Sequence, residues 1–455
     1  MGFWNLKVPA GNIAMIEPNG KVITYGELQY KVDQFKGKIF SYKKSLGLIL
    51  CENSIDTVIV YLAALQKEDA VILVDQAMNE SLLKKIVDVY SPHWIYSHQP
   101  IGGISKYVKN ADNLYFAKDQ TGIKIYNNTA VLLATSGTTG SVKFVRLSYE
   151  NLQSNAVSIA KYLELHEGER PILTLPMQYS YGLSVINSHL EVGACLLMTN
   201  DSILSKSFWE FFKSGEATSF AGVPYTYEML KRLRFERMDL PSLKAFTQAG
   251  GRLSKELVAH FHGVAKEKRQ RFFVMYGQTE ATARMSYVPT ELLHEKLGSI
   301  GISIPDGELF VDEKTTELIY KGQNVMLGYA DNKDDLQKGD ECNGVLHTGD
   351  LATVDGDGYF SIIGRKKRFI KLFGLRISLD EVERALEQQF SISVACTGND
   401  EALIVAIEDD GLVLMIKEKL TSHYGLHHRA FKIKVVEQIP RLGNGKINYE
   451  VIKDL

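Results

Sequence analysis

The sequence predicts an α/β protein: a large N-terminal domain of mainly parallel sheets covered by helices, with a β region, followed by a small mobile α+β C-terminal domain. Two observations carry the first part. Short apolar runs alternate with longer helical patterns through most of the chain, and strand–helix–strand repetition favours parallel sheets. From about Glu308 the texture changes to short strands separated by Gly, Asp and Asn, which predicts an antiparallel β region. A third observation, one helical pattern between short strands after Gly364, predicts the terminal unit.

Taken in order, residues 47–51 (Gly-Leu-Ile-Leu-Cys) read as a buried strand, and 54–66 as a helix capped at Asn53 or Ser54. A strand at 71–74, a helix over 80–90 and a strand at 94–96 follow. The alternation recurs with strands at 171–175, 192–198, 218–223, 245–249 and 272–275. The β region has strands at 308–311, 317–320 and 358–363, and the terminal unit a helix over 380–389 with strands at 402–407 and 431–436. The domains are accordingly placed at 1–363 and 369–455, with a hinge at 364–368.

With 455 residues, 45% of them hydrophobic and 23% charged, the chain can bury a sizeable core. Fifty-two basic against 54 acidic side chains leave a net charge of −2, which does not suggest a nucleic-acid binder or a polybasic membrane protein. The four cysteines form no C-x-x-C pair, which excludes a disulfide framework and a thiol metal site and fits a reducing compartment. The opening residues lack the basic and apolar regions of a signal peptide and the Ser or Thr of a myristoylation signal. No apolar run approaches the roughly 20 residues needed to span a bilayer. A soluble cytoplasmic protein with no nucleic-acid or membrane partner is expected.

Four stretches carry chemistry. In Val131-Leu-Leu-Ala-Thr-Ser-Gly-Thr-Thr-Gly-Ser-Val-Lys143 an apolar strand runs into hydroxyls, two glycines and a lysine. Glycines let backbone amides turn toward an anion, hydroxyls add donors and Lys143 adds charge, which suits a polyphosphate. No Gly-Lys-Ser/Thr triplet closes it, so it is not the common P-loop. Read alone, it is equally an ordinary Ser/Thr/Gly turn. Tyr276-Gly-Gln-Thr-Glu280 follows a strand at its carboxyl end, where ligands sit in open α/β sheets. There an aromatic can stack on a base, Thr279 can hold a phosphate and Glu280 can bind a magnesium ion through oxygen. The competing reading is a helix-initiating turn with Thr279 and Glu280 as caps.

In His347-Thr-Gly-Asp350 a carboxylate at a turn suits two ribose hydroxyls, although a Thr-Gly-Asp turn needs no ligand. Arg365 could reach the same sugar or a phosphate. It belongs to a run of six basic residues between Gly364 and Arg376, interleaved with Phe369 and Phe373. A nucleic-acid surface would need a continuous basic face on a less neutral chain. Last, Ile439-Pro-Arg-Leu-Gly-Asn-Gly-Lys446 is a glycine-flanked loop presenting one lysine, or simply a solvated terminal lysine.

The order of these signals resembles the adenylate-forming superfamily: acyl- and aryl-CoA synthetases, firefly luciferase and the adenylation domains of peptide synthetases. Ile23-Thr-Tyr-Gly-Glu-Leu28, Glu52-Asn-Ser-Ile-Asp56 and Ala63-Ala-Leu65 are similar to that family's N-terminal lobe, so the resemblance covers nearly the whole chain.

The resemblance implies roles. Thr135, Ser136, Gly137, Thr138, Thr139, Gly140 and Lys143 would form the loop over the β- and γ-phosphates of ATP. Gly250, Gly251 and Arg252 would line the adenine, with Tyr276 and Gly277 beside it. Thr279 would contact the α-phosphate, Glu280 would help bind magnesium, and Asp350 and Arg365 would hold the ribose. Lys446 would bridge carboxylate and α-phosphate during adenylation. Lys367 would be the hinge about which the small domain swings to withdraw Lys446 and present 372–376, with Gly374 and Arg376, for the thiol step. Tyr179, Gly182 and Gly222, within 179–184 and 220–225, and residues 281–285 would wall the acyl pocket.

Three departures from the family pattern stand out. The phosphate loop ends Val142-Lys143-Phe144 where the family has Pro-Lys-Gly, Tyr179 stands where His is frequent, and the N-terminal lobe is short. The implied activity is ATP-dependent formation of an acyl-adenylate with release of pyrophosphate, then transfer to coenzyme A. Two alternatives remain: an adenylation enzyme loading a separate phosphopantetheine carrier protein, and a nucleotide-binding regulator without turnover. No Asp stands among the pocket residues to hold an ammonium, so a non-amino carboxylic acid is expected.

Overall fold

The uninterrupted apolar run Leu46–Cys51 becomes a strand buried along its whole length, as parallel strands covered on both faces are. It pairs in parallel with Ala70–Asp75 on one side and Trp94–Tyr96 on the other. Gly47 admits the Trp94 ring, because a Cβ there would stand 2.2 Å from it. Around this centre lies an eight-stranded sheet in the order Gly328–Ala330, Phe144–Ser148, Thr129–Ala134, Ala70–Asp75, Leu46–Cys51, Trp94–Tyr96, Leu114–Ala117, Tyr107–Lys109. Its middle is parallel and both edges are antiparallel. This computed structural model describes residues 2–39, 43–110, 113–119, 122–134, 142–366, 368–372, 375–399, 401–424, 427, 429–443 and 445–455.

A second, nine-stranded sheet runs Ile302–Ser303, Ser286–Val288, Arg271–Tyr276, Ala245–Gln248, Ser219–Gly222, Pro171–Ile172, Leu196–Leu197, Ile13–Ile16, Val22–Thr24. Six central strands are parallel and the outer ones antiparallel. The two sheets share one core with helices Ile55–Gln66, Tyr149–Tyr162 and Ser180–Glu191; Val131 and Leu133 of the first sheet and Met15 and Leu196 of the second belong to it. Ile55–Gln66 is accordingly buried at every position but Asp56 and Gln66, and starts at Ser54, whose hydroxyl accepts from the Thr57 amide. Glu80–Tyr90 buries only Leu83, Ile86, Val87 and Tyr90, the single stripe of a surface helix.

Two expected strands are shorter than their apolar runs. Only Pro171–Ile172 of 171–175 and Leu196–Leu197 of 192–198 pair. Residues 192–194 instead close the preceding helix: the Ala194 amide donates to the His189 carbonyl, and Gly193 takes φ +75°.

The chain divides into two compact units, Met1–Leu309 with Tyr320–Leu346, and Phe310–Ile319 with His347–Leu455. The expected 364–368 boundary falls inside the second unit. In that unit Asp350 to Val354 pair with Phe360–Arg365 in antiparallel register, as the turn-rich texture predicts. The unit adds the ribbon Phe369–Leu372 and Leu375–Ser378, and a three-stranded sheet of Val394–Gly398, Leu403–Ile407 and Phe431–Val435. Helix Leu379–Phe390 packs through Val382 and Leu386 into one core with this ribbon and the three-stranded sheet. Among the described residues no helix is long and apolar enough to cross a membrane.

Candidate functional site

Strand Arg271–Tyr276 ends in a loop that returns as the antiparallel strand Ser286–Val288. The reversal is tight: a Cβ on Gly277 would stand 1.7 Å from the Ala283 carbonyl oxygen, so only glycine fits there. Within the turn, Thr282 takes φ +64°, a left-handed conformation that a β-branched residue adopts only under constraint. Asn324 supplies the constraint. Its side-chain amide donates to the carbonyls of Ala281 and Arg284, both at 2.9 Å, and its own carbonyl accepts from the Thr282 hydroxyl at 2.7 Å.

This loop brings together several residues expected from the sequence. Thr279 is buried, and its hydroxyl is 3.2 Å from that of Ser180 at the start of helix Ser180–Glu191. The half-buried Glu280 accepts a 3.0 Å hydrogen bond from the Tyr329 hydroxyl. Lys143 places its ammonium 4.1 Å from the centre of the Tyr329 ring. Tyr329 thus stands between the expected phosphate-loop lysine and the expected magnesium ligand. Burial, and then the neighbouring Glu280 carboxylate, raise its pKa well above the ordinary phenol value, so it remains a neutral donor. Fully buried Arg146 holds the backbone of this segment through the Tyr329 and Leu327 carbonyls and a 2.6 Å pair with Glu341.

The expected adenine and acyl walls also meet. Gly250 has φ +84°, and a Cβ there would stand 2.4 Å from the Tyr179 hydroxyl. Gly222 abuts Tyr227 and Gly182 the Pro176 carbonyl, while Gly251 and Arg252 are exposed. Tyr276 accepts at its hydroxyl from the Gln278 amide at 3.1 Å.

In the second unit, Asp350 and Arg365 stand opposite each other in neighbouring strands, with Arg365 Nε 2.9 Å from Asp350 Oδ1. Asp350 is buried and Arg365 largely exposed. Gly349, inside strand Val345–Val354, takes φ +72°, and its amide donates to Glu317 at 3.0 Å. Lys446 is half-buried in a turn closed by its own carbonyl, which accepts from the Leu442 amide at 2.7 Å.

Thr135, Ser136, Gly137, Thr138, Thr139 and Gly140, with Lys367 and Gly374, lie outside the described residues; Arg376 is described by its backbone, opposite Lys371. Three described members of the basic run between Gly364 and Arg376 are engaged in ion pairs. Arg365 pairs with Asp350, Lys366 with Glu317, and Arg368 with Asp380 and Glu383.

Sequence reasoning missed Tyr329 and Asn324, and gave Ser180 and Arg284 no role beyond their place in the expected pocket walls 179–184 and 281–285. The first two lie in Gln323-Asn-Val-Met-Leu-Gly-Tyr329, far along the chain from the loop they hold. Their signal was a polar residue inside an apolar run, which names no partner. Arg284 carried the same signal inside the expected pocket wall.

A family model described as "AMP-binding enzyme" matches residues 3–330. The 2-succinylbenzoate–CoA ligase of Listeria monocytogenes is 24% identical, over 96% of this chain and 95% of that protein. The long-chain-fatty-acid–CoA ligase of Salmonella typhimurium is 30% identical over 72% of this chain, and 4-coumarate–CoA ligase 5 of Oryza sativa 27% over 73%. Those matches span 62% and 66% of the two relatives' own lengths, under two thirds in each case. Among solved structures, the o-succinylbenzoate CoA synthetase of Bacillus subtilis with its acyl-adenylate has a TM-score of 0.78 at 19% identity, over 98% of this chain and 97% of that one. Klebsiella oxytoca NpsA reaches 0.80 at 19% identity, over 99% and 98%. At such identities the structures establish the α/β fold with its small C-terminal domain. The family match over well more than half of its length makes this chain a member of the AMP-binding enzyme family, the adenylate-forming superfamily that its motifs resemble.

Proposed function

We propose that the protein joins a carboxylic acid to a thiol at the expense of ATP, by way of an acyl-adenylate, with coenzyme A as the thiol. The cluster of Lys143, Tyr329, Glu280, Thr279 and Ser180 carries the reading, in a chain similar over almost its full length to a CoA ligase.

In the first half-reaction a carboxylate oxygen bonds to the α-phosphorus of ATP, and the bond to the pyrophosphate oxygen breaks. Both reactants are anions, so the protein must hold them together and neutralise charge. Lys143 acts on the pyrophosphate side, Thr279 donates to the α-phosphate, and Lys446 brings charge to carboxylate and α-phosphate. Asp350 accepts from the ribose hydroxyls, with Arg365 orienting its carboxylate. Glu280 offers the hard oxygen that magnesium favours. Among the described residues no three His, Cys, Asp or Glu side chains form a metal site by themselves, which suits an ion shared with nucleotide phosphates. When bound, the ion neutralises phosphate charge. In the second half-reaction the thiol sulfur, its proton lost to solvent, bonds to the acyl carbon and AMP departs.

The basic run between Gly364 and Arg376 could meet either the phosphates of coenzyme A or the acidic face of a carrier, so the internal pairing of Arg365, Lys366 and Arg368 bears equally on both acceptors. Similarity over almost the full length to a CoA ligase is what favours coenzyme A. The test is carboxylate-dependent exchange of labelled pyrophosphate into ATP on pooled acids. Exchange is expected with one pool, falling on the order of 100-fold in Lys446→Ala. ATP binding without exchange from any pool would instead support the regulator.

A further inference from the structure

Arg284 is 2% exposed, and no carboxylate pairs with it among the described residues. Its guanidinium carbon lies 3.8 Å from the centre of the Tyr181 ring, and the Tyr162 hydroxyl is its hydrogen-bond neighbour. Its Nε is buried without a partner. The backbone is committed as well: the Arg284 carbonyl accepts from Asn324 at 2.9 Å and from Asn155 at 3.2 Å. A cation taken out of water needs a counter-charge, which a ring face replaces only in part. The surrounding phenols do not supply one. Burial raises the pKa of Tyr162, Tyr179 and Tyr181, so all three stay neutral.

The position of this cation relative to the proposed chemistry is informative. Tyr181, on whose ring it lies, follows Ser180, whose hydroxyl touches that of Thr279. Tyr179, just before, faces Gly250, and the Tyr181 hydroxyl bonds to that of Thr247 at 2.8 Å. An acyl group on an α-phosphate held at Thr279 would run along this wall. We propose that Arg284 is the counter-charge for a second carboxylate on the substrate, which makes the favoured substrates dicarboxylic acids. The proposal rests on the adenylation reading above and adds a specificity-determining residue to it.

The experiment uses inert acyl-sulfamoyl adenosines in pairs that differ only in a carboxylate replaced by an isopropyl group: succinyl against 4-methylpentanoyl, glutaryl against 5-methylhexanoyl, and 4-carboxybenzoyl against 4-isopropylbenzoyl. Calorimetry measures binding to the wild type, Arg284→Met and Arg284→Lys, and pyrophosphate exchange is run with the parent acids. In the wild type at least one dicarboxylic analogue is expected to bind about 30-fold or more tightly than its isostere, roughly 2 kcal/mol. The ratio should fall to near one in Arg284→Met and be partly kept in Arg284→Lys. Isosteres binding as well as the diacids in every pair would overturn the proposal while leaving adenylation standing, and so would an undiminished preference in Arg284→Met. Should Arg284→Met not fold, the wild-type ratios and Arg284→Lys decide. If no analogue binds and no acid supports exchange, the adenylation reading fails and the proposal falls with it.

Discussion

Tyr329 is the side chain on which the candidate site turns. It offers a ring face to Lys143 and a hydroxyl to Glu280, so one residue orients both a cation and a carboxylate. Tyr329→Phe keeps the ring and removes only the donor. The variant should retain its fold, because one partly exposed hydrogen bond contributes about 1 kcal/mol. The magnesium concentration for half-maximal pyrophosphate exchange should rise on the order of tenfold, as when a group that orients a metal ligand is removed. An unchanged magnesium dependence would take Tyr329 out of the site. Asn324 works differently, on the backbone: it satisfies the carbonyls of Ala281 and Arg284 and so holds the strained Thr282 turn.

At the scale of elements, helix Ser180–Glu191 contributes to the site at one end and carries a buried histidine at the other. Tyr179, Ser180 and Tyr181 form its start; His189 lies in its last turn with Nδ1 2.8 Å from the Val185 carbonyl and Nε2 unpartnered. Burial, the largest influence, lowers the His189 pKa to about 4. Unfolded histidine titrates near about 6.5, so as pH falls from there toward 4 the unfolded chain binds a proton that the folded chain refuses. Stability is therefore full above about pH 6.5 and declines on the order of 3 kcal/mol by about pH 4. Urea titrations at about pH 7, above that window, and at about pH 5.5 and 4.5, within it, should show a smaller loss in His189→Met than in the wild type. An equal loss in both would assign the pH dependence elsewhere.

At the scale of the whole molecule, the chain leaves its first unit at Phe310, contributes Phe310–Ile319 to the second, and returns at Tyr320. Glu317 binds that excursion into the second unit: it accepts from the Gly349 amide at 3.0 Å and from Lys366 at 2.8 Å, with His347 at 3.4 Å. Burial opposes its ionisation, but Lys366, the Gly349 amide and His347 together outweigh burial and hold its pKa below the ordinary range. A lowered carboxyl pKa stabilises above the unfolded value, near about 4.3, and the effect is lost as pH falls through the folded one. Glu317→Gln should accordingly be less stable than the wild type at neutral pH, and the gap should close below about pH 4. Amide exchange should place the loss in 310–319 and 347–366. Faster exchange confined to the first unit would contradict this account.

The sequence by itself determined the elements and the order of the motifs. Leu46–Cys51 is legible because burial on both faces needs an apolar run, and Glu80–Tyr90 because one buried face needs a stripe. Tyr276 to Glu280 is legible because a tight return needs glycine at Gly277. Where such a run meets a helix end, as at 192–194, apolarity alone could not tell strand from turn. Only the tertiary structure decided which distant residues serve those motifs: Tyr329 between Lys143 and Glu280, Asn324 across the Thr282 turn, and Arg284 on the face of Tyr181. Local pattern records the burial and backbone geometry of a residue, whereas a contact between residues remote in the chain is set by how the sheets and helices pack.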